Sequence, residues 1–179
     1  VSSLERALAI NPSSVEAHTN LGATLRCLDQ PDAAISSLKR ALAIRPEHAN
    51  AHHNLGATFK DLGQLGAAVS SFEHALAINP ENAITHCSLG NALWSLGQMN
   101  EAISSCKRAL VIKPDYVDAH ITLGHAFNSL GILKSAVSSF ERALVLEPDN
   151  SEAIFNLGVS FTKLDKLDAA ISCFDKVLA

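Results

Sequence analysis

The sequence has few aromatic residues, no strong excess of either charge and no long apolar run. One Trp, one Tyr and seven Phe are the only aromatic rings besides histidine among 179 residues. Eighteen acidic residues against fourteen basic ones give a net charge of -4, whereas a basic face for nucleic acid needs the opposite balance. No apolar run approaches the roughly 18 residues that span a membrane. We therefore expect no nucleic-acid partner and no membrane insertion.

The cysteines are equally sparse and form no metal-binding motif. Cys27, Cys87, Cys106 and Cys173 lie far apart, without a Cys-x-x-Cys pair. This spacing argues against a zinc site. Scattered free thiols are typical of a reducing compartment. We therefore expect a cytoplasmic, intracellular protein with no metal and no cofactor.

The dominant feature of the sequence is a repeat of 34 residues. Leu-Gly pairs recur at this spacing, and so do five of the six prolines: Pro12, Pro46, Pro80, Pro114 and Pro148. A fixed period of this length indicates a stacked array, in which no single unit buries its own apolar face. We number the positions of each repeat from 1, with position 1 at residues 15, 49, 83, 117 and 151.

Each repeat has the pattern of a helix, a turn and a second helix. Ala51, Leu55 and Phe59 have the spacing of one helix face, and Gly63 is suited to the left-handed backbone that ends a helix. Asp29 and Asp165 replace this glycine in two repeats, at a higher conformational cost. A second helix follows, from about residue 66 to 78, and a proline ends it because the residue before proline is disfavoured in a helix.

The repeat resembles the tetratricopeptide repeat family along the whole chain. In the second repeat the matching residues are His52, Leu55, Gly56, Phe59, Ala68, Phe72, Ala75 and Pro80. The resemblance implies an all-α, right-handed superhelical solenoid of about eleven helices in one array, residues 1–179. Residues 1–14 are then the second helix of a preceding repeat, residues 15–48, 49–82, 83–116 and 117–150 are complete repeats, and residues 151–179 are a truncated one.

The family resemblance implies a concave groove lined by the first helix of each repeat. A helical wheel places positions 3, 4, 7, 8, 10, 11 and 14 inward and positions 2, 5, 6, 9, 12 and 13 on the groove side. Position 6 reads Asn20, Asn54, Ser88, Thr122 and Asn156. This ladder resembles the repeats of O-linked N-acetylglucosamine transferases, which implies that side-chain amides hold a peptide backbone. The alternative is that Asn only suits an exposed helical position.

Other groove positions supply further candidate contacts. They are His53, Lys60, Asn91, Trp94, His125 and Phe155. Trp94 is either an exposed interface anchor or a residue that packs on the neighbouring helix. The basic residues of chaperone-tail clamps, another branch of the family, are missing at the corresponding positions.

Two repeated residue types suggest chemistry, but a structural role is the better interpretation. His18, His52, His86 and His120 share one position, and neighbouring helices lie ~8–10 Å apart, too far for one ion to be shared. We expect them to pack at the core edge, and we expect no metal. The repeated Ser-Ser pairs are also structural, and no catalytic motif is present. We therefore expect a non-enzymatic scaffold that binds a protein or an extended peptide.

Two other functions remain open. The chain could be the substrate-recruiting segment of a larger enzyme, such as a glycosyltransferase or a sulfotransferase. It could also be a scaffold that self-associates through open repeat ends, since arrays need polar caps for solubility.

Overall fold

The computed structural model describes residues 1–178, which form eleven α-helices and contain no strand. The helices are α1 (Ser2–Ile10), α2 (Val15–Cys27), α3 (Pro31–Ile44), α4 (Ala49–Asp61), α5 (Leu65–Ile78), α6 (Ala83–Ser95), α7 (Met99–Ile112), α8 (Val117–Ser129), α9 (Leu133–Leu146), α10 (Ser151–Lys163) and α11 (Leu167–Leu178). The predicted all-α fold and the helix–turn–helix repeats are confirmed.

The chain divides into two compact units, and each is described separately. Unit 1 comprises residues 1–92, and unit 2 begins at Leu93. In unit 1 helices α1 to α4 pack in sequence, α4 packs against α5, and the first helices α2 and α4 also contact each other. In unit 2 helices α7 to α11 pack in sequence, and the first helices α8 and α10 are in contact. Helices α3 and α9 therefore each contact the first helix of their own repeat and that of the next.

The turns between the two helices of a repeat require a left-handed backbone. Gly63, Gly97 and Gly131 have φ values of 70°, 85° and 72° there. Asp29 and Asp165 adopt the same region, with φ of 55° and 59°. The sequence prediction for these turns is confirmed, including the two aspartates that replace glycine.

Glycine at position 8 allows the two helices of a repeat to approach closely. A Cβ on Gly124 would lie 2.6 Å from ring carbons of Phe140, and a Cβ on Gly56 would lie 2.8 Å from the ring of Phe72. Both rings are fully buried. In unit 2, Phe140 belongs to a cluster with Ile121 of its own repeat and Leu157 of the next, so the core is completed only between repeats.

The helical wheel is wrong at position 14, which it places in the core. Leu28, Leu62, Leu96 and Leu130 are 53%, 39%, 42% and 42% exposed. The first helix ends at position 13, and the next residue is a C-cap. Extending a 100° rotation to a residue outside the helix therefore misplaces its side chain.

Candidate binding face of the first helices

Exposed side chains of the first helices form a candidate binding face in each unit. We call the accessible residues at positions 2, 6, 9, 12 and 13 of α2, α4, α6, α8 and α10 the first-helix face. Positions 2 and 13 are exposed in every repeat. They carry Glu16, Asn50, Ile84, Asp118 and Glu152 at position 2, and Cys27, Asp61, Ser95, Ser129 and Lys163 at position 13.

Several residues that the wheel assigns to this face are buried. Thr19, Cys87 and Ile121 at position 5 are only 4–5% exposed, and Thr122 is 4% exposed. The wheel treats each helix as isolated, but neighbouring first helices pack against each other on this side. Thr122 therefore cannot reach a ligand in this structure, and position 5 belongs mainly to the contact between repeats.

The asparagines of unit 1 remain accessible. Asn20 is exposed and Asn54 is half-buried, and Ser88 follows at the same position on α6, also half-buried. The side-chain amides of Asn20 and Asn54 make no hydrogen bond to any residue within 1–178. Each amide can donate and accept, which is what pairing with a peptide backbone requires.

Position 12 in unit 1 carries cations that reach the following first helix. Arg26 forms an ion pair of 3.1 Å with Asp61, and Lys60 Nζ donates to the side-chain carbonyl of Asn91 at 3.2 Å. No carboxylate of the described residues pairs with Lys60. Since the Arg26 pair is about one-third to one-half exposed, its contribution to stability is small, about 0–1 kcal/mol. Lys60 leaves a positive charge available beside the asparagines.

His53 lies in the same region and makes a hydrogen bond to the next repeat. One of its ring nitrogens, Nδ1, lies 2.9 Å from the hydroxyl of Thr85 on α6. Burial lowers the pKa of His53, and the nearby charge of Arg26 lowers it further. The imidazole is therefore kept neutral to a lower pH than an exposed histidine, and it contributes a polar contact between repeats.

In unit 2 the residue at position 12 before α8 is Trp94, and it packs against that helix. Its ring stacks on His125, with the centroids 4.8 Å apart and the planes inclined by 26°. Its indole N–H donates to the hydroxyl of Ser129 at 3.1 Å. His125 in turn lies 3.0 Å from a carboxylate oxygen of Glu152 on α10. This geometry corresponds to the packing alternative for Trp94, with part of the indole still accessible.

The remaining candidates of unit 2 differ from one another in availability. Phe155 is 50% exposed, although its ring also packs on that of Phe174, with the ring centroids 5.7 Å apart. The amide of Asn156 donates to the main-chain oxygen of Glu152 at 2.8 Å, so it has one fewer free donor than Asn20. Asn128, which the sequence did not single out, is buried and bonds to Ser160 at 2.9 Å. Unit 2 therefore offers an apolar contact rather than an amide ladder.

The repeated histidines have a role that sequence reasoning missed. The Nε2 atoms of His18, His52, His86 and His120 lie 2.9–3.0 Å from the main-chain oxygens of Pro12, Pro46, Pro80 and Pro114. A carbonyl oxygen only accepts, so each ring donates its Nε2 hydrogen. The constant separation of six residues between proline and histidine was the available signal. In each of the first four repeats, this bond links the first helix to the proline that precedes the repeat.

Two other properties of the described residues bear on function. Within residues 1–178, no group of three or more His, Cys, Asp or Glu side chains is placed to hold a metal ion. In the same range, every helix is too short or too polar to cross a membrane.

Helical hairpins that repeat every 34 residues and expose one face of their first helices define an α-helical repeat protein. Three family models match this chain, at residues 13–81, 90–131 and 121–179, and all three describe tetratricopeptide repeats. The chain belongs to the tetratricopeptide repeat family. None of the three models describes a catalytic domain.

Several solved structures have a similar fold, and three of them are described below. MamA is 24% identical, covers 92% of this chain and 90% of its own, and superposes with a TM-score of 0.81. YrrB, described as a TPR protein with an unusual peptide-binding site, is 23% identical with a TM-score of 0.78 and covers 98% of this chain and 90% of its own. TTC0263, a TPR protein of Thermus thermophilus, is 27% identical, has a TM-score of 0.75 and covers 92% of this chain and 90% of its own. Among curated protein sequences, none is significantly similar to this chain.

Proposed function

We propose that this chain is a non-enzymatic scaffold that binds an extended segment of a partner protein on its first-helix face. The observation that carries the proposal is the pair of accessible amides in unit 1, Asn20 and Asn54, which no described residue occupies. Amides pair with main-chain groups whatever the peptide sequence. The similarity to YrrB, a TPR protein with a peptide-binding site, supports the same class of function.

Lys60 adds a preference of charge to this proposal. Its ammonium group is fixed by Asn91 at 3.2 Å and has no carboxylate partner among residues 1–178. A partner segment with an acidic residue next to the amide-bound stretch would neutralise it. In unit 2 the exposed ring of Phe155 offers a separate apolar contact.

The test is a peptide selection on the full chain, followed by substitution of the amides. Random peptides selected by phage display are titrated against the wild type and against a variant carrying Asn20→Ala and Asn54→Ala. Each net hydrogen bond contributes about 0.5–1.5 kcal/mol, so the variant should weaken peptides of unrelated sequence by about 5- to 150-fold. Asn100→Ala, an exposed asparagine on the second helix α7, is the matched control and should change nothing. Equal affinities for wild type and double variant, with the fold intact, would reject the amide ladder.

We propose self-association as a second function, because helices α10 and α11 expose large apolar side chains. Phe155 is 50% exposed, whereas Ile121 at the same position is 5% exposed. Leu178 is 85% exposed, whereas Leu144 is half-buried. Ile171 is also 57% exposed, and a second copy of the chain would bury these side chains, with a two-fold dimer favoured over open stacking.

Sedimentation of the chain over a range of concentrations tests this second function. Phe155→Ser combined with Ile171→Ser should shift the distribution towards monomer, while Ile132→Ser, an exposed residue at the start of α9, should not. A wild-type chain that stays monomeric at tens of micromolar would contradict self-association.

A further inference from the structure

Three polar side chains of unit 1 recur at the same position on neighbouring first helices. Asn20 on α2, Asn54 on α4 and Ser88 on α6 share position 6 and are exposed or half-buried. None of these side chains makes a hydrogen bond to another residue within 1–178. Each carries an N–H or O–H donor. Unit 1 therefore presents one unused donor per repeat on its first-helix face.

The packing of the first helices determines the distance between these donors. Helices α2 and α4 are in contact. Helices α4 and α6 are joined twice, by a bond of 2.9 Å between His53 and Thr85 and by one of 3.2 Å between Lys60 and Asn91. The two bonds are about two turns apart on α4, so the helices lie side by side over that length. Since the axes of packed helices are ~8–10 Å apart, successive donors are separated by about the same distance.

This distance discriminates between the regular conformations of a bound peptide. In a β-strand the main-chain groups on one side recur every two residues, at roughly 6.6–6.8 Å, and the next ones follow at roughly 13 Å. The polyproline II helix has three residues per turn and rises ~3.1 Å per residue, so its carbonyls recur on one side every ~9.3 Å. It has no internal hydrogen bonds, so these carbonyls are free to accept, whereas an α-helix uses its carbonyls internally. The polyproline II spacing is the one that matches the donors.

Two side chains near Ser88 indicate what such a segment carries where it crosses α6. The ammonium group of Lys60 is held by Asn91, about one turn after Ser88, and has no carboxylate partner within residues 1–178. Ile84 lies about one turn before Ser88 and is 56% exposed. A carboxylate complements the ammonium group, and the ring of a proline buries apolar surface against Ile84.

We propose that unit 1 binds a proline-containing partner segment in the polyproline II conformation, with Asn20, Asn54 and Ser88 donating to every third main-chain carbonyl. This inference rests on the function proposed above and specifies the class of segment. Three contacts at this period span about seven residues. Proline is compatible with them because the protein supplies the donors and the main-chain N–H that proline lacks is not needed. An acidic residue of the segment lies over α6, beside Lys60.

The first test compares two peptides of equal length and charge by calorimetric titration of the full chain. They are acetyl-Glu-Pro-Pro-Gln-Pro-Pro-Gln-Pro-Pro-Glu-amide and the same peptide with Thr in place of every Pro. The Pro peptide should bind at least about tenfold more tightly, because its prolines restrict the unbound chain to the bound conformation, whereas Thr favours a strand. Equal or tighter binding of the Thr peptide, or no binding of the Pro peptide, would overturn the proposal.

The second test measures the three-residue period with single variants of the protein. The Pro peptide is prepared with Glu at one end only, in both orders, and the tighter one is shortened residue by residue from the other end. Asn20→Ala and Asn54→Ala should each weaken the longest peptide by about 2- to 12-fold. The effect of Asn20→Ala should disappear three residues earlier in the series than that of Asn54→Ala. A lag of two residues, as a strand requires, or no lag would refute the polyproline II register.

The controls separate this inference from the function on which it rests. Asn100→Ala, exposed on α7, should leave the affinity of every peptide unchanged, and circular dichroism checks that the variants are folded. If Asn20→Ala and Asn54→Ala weaken peptides selected from a random library but not the Pro peptide, the polyproline II segment is refuted and the amide contacts remain. If the two substitutions weaken neither kind of peptide, both proposals fail.

Discussion

Replacing Gly124 by Ala tests the close approach of the two helices within a repeat. The new Cβ would lie 2.6 Å from two ring carbons of Phe140, against an ordinary contact of 3.4–4 Å. The ring is fully buried in a cluster that includes Ile121 and Leu157, so it cannot move without displacing them. Overpacking of this kind costs about 1–3 kcal/mol. Ala is favoured over Gly in a helix by about 0.8–1.0 kcal/mol, so the net destabilisation is about 0–2 kcal/mol.

Gly66→Ala is the control variant, because it adds the same methyl group to a helix without the contact. Gly66 lies in α5 and is exposed, and no atom lies within 4 Å of the place that its new Cβ would take. Gly66 is the second residue of α5, so the variant should stabilise the chain by less than the about 0.5–1 kcal/mol of a mid-helix site, a rise in melting temperature of no more than roughly 1–4 °C for a chain of this size. The two variants are compared by urea and thermal denaturation followed by circular dichroism. The difference between them isolates the overpacking cost and should be about 1–3 kcal/mol. The reasoning is refuted if Gly124→Ala stabilises the chain as much as Gly66→Ala does.

Three further predictions concern polar contacts between and within repeats, each measured by urea denaturation. Ser160→Ala should destabilise the chain by about 1–3 kcal/mol, because it leaves the buried side-chain amide of Asn128 without its acceptor. Ser95→Ala, at an exposed site, is the control and should cost less than about 0.5 kcal/mol. His86→Phe keeps a ring but removes the bond to the Pro80 oxygen, so a loss of about 0.5–1.5 kcal/mol is expected, and no loss would show that the bond is dispensable. The pKa of His53 is lowered in the folded chain, so its contribution to the free energy of unfolding is complete above the unfolded pKa of about 6.5 and is lost as the pH falls below that value. His53→Gln should therefore make the free energy of unfolding decrease less steeply with falling pH. A pH profile of stability identical to that of the wild type would contradict this prediction.

Much of the fold follows from the sequence alone, because each repeat contains the residues that begin and end its own helices. Proline at the end of a second helix and glycine or aspartate in a left-handed turn are determined by backbone sterics, and these do not depend on neighbouring repeats. The 34-residue period then requires that equivalent helices stack. For this reason the helix bounds and the positive φ of Asp29 and Asp165 were predictable from one chain. The accessibility of Asn20 was predictable on the same basis, because it lies on the polar side of a single helix.

Contacts between helices of different repeats could be decided only by the tertiary structure. A helical wheel assigns a direction to Thr122 and Ile121, but the packing of the adjacent first helix decides that both are buried. The same holds for Trp94, because its indole stacks on His125, which lies 31 positions further along the chain. The buried bond between Asn128 and Ser160 joins two helices 32 residues apart in sequence, and no local pattern indicates it. Sequence determined the elements and their order because backbone preferences are local, whereas burial and binding surfaces arise from side chains brought together across the repeat period.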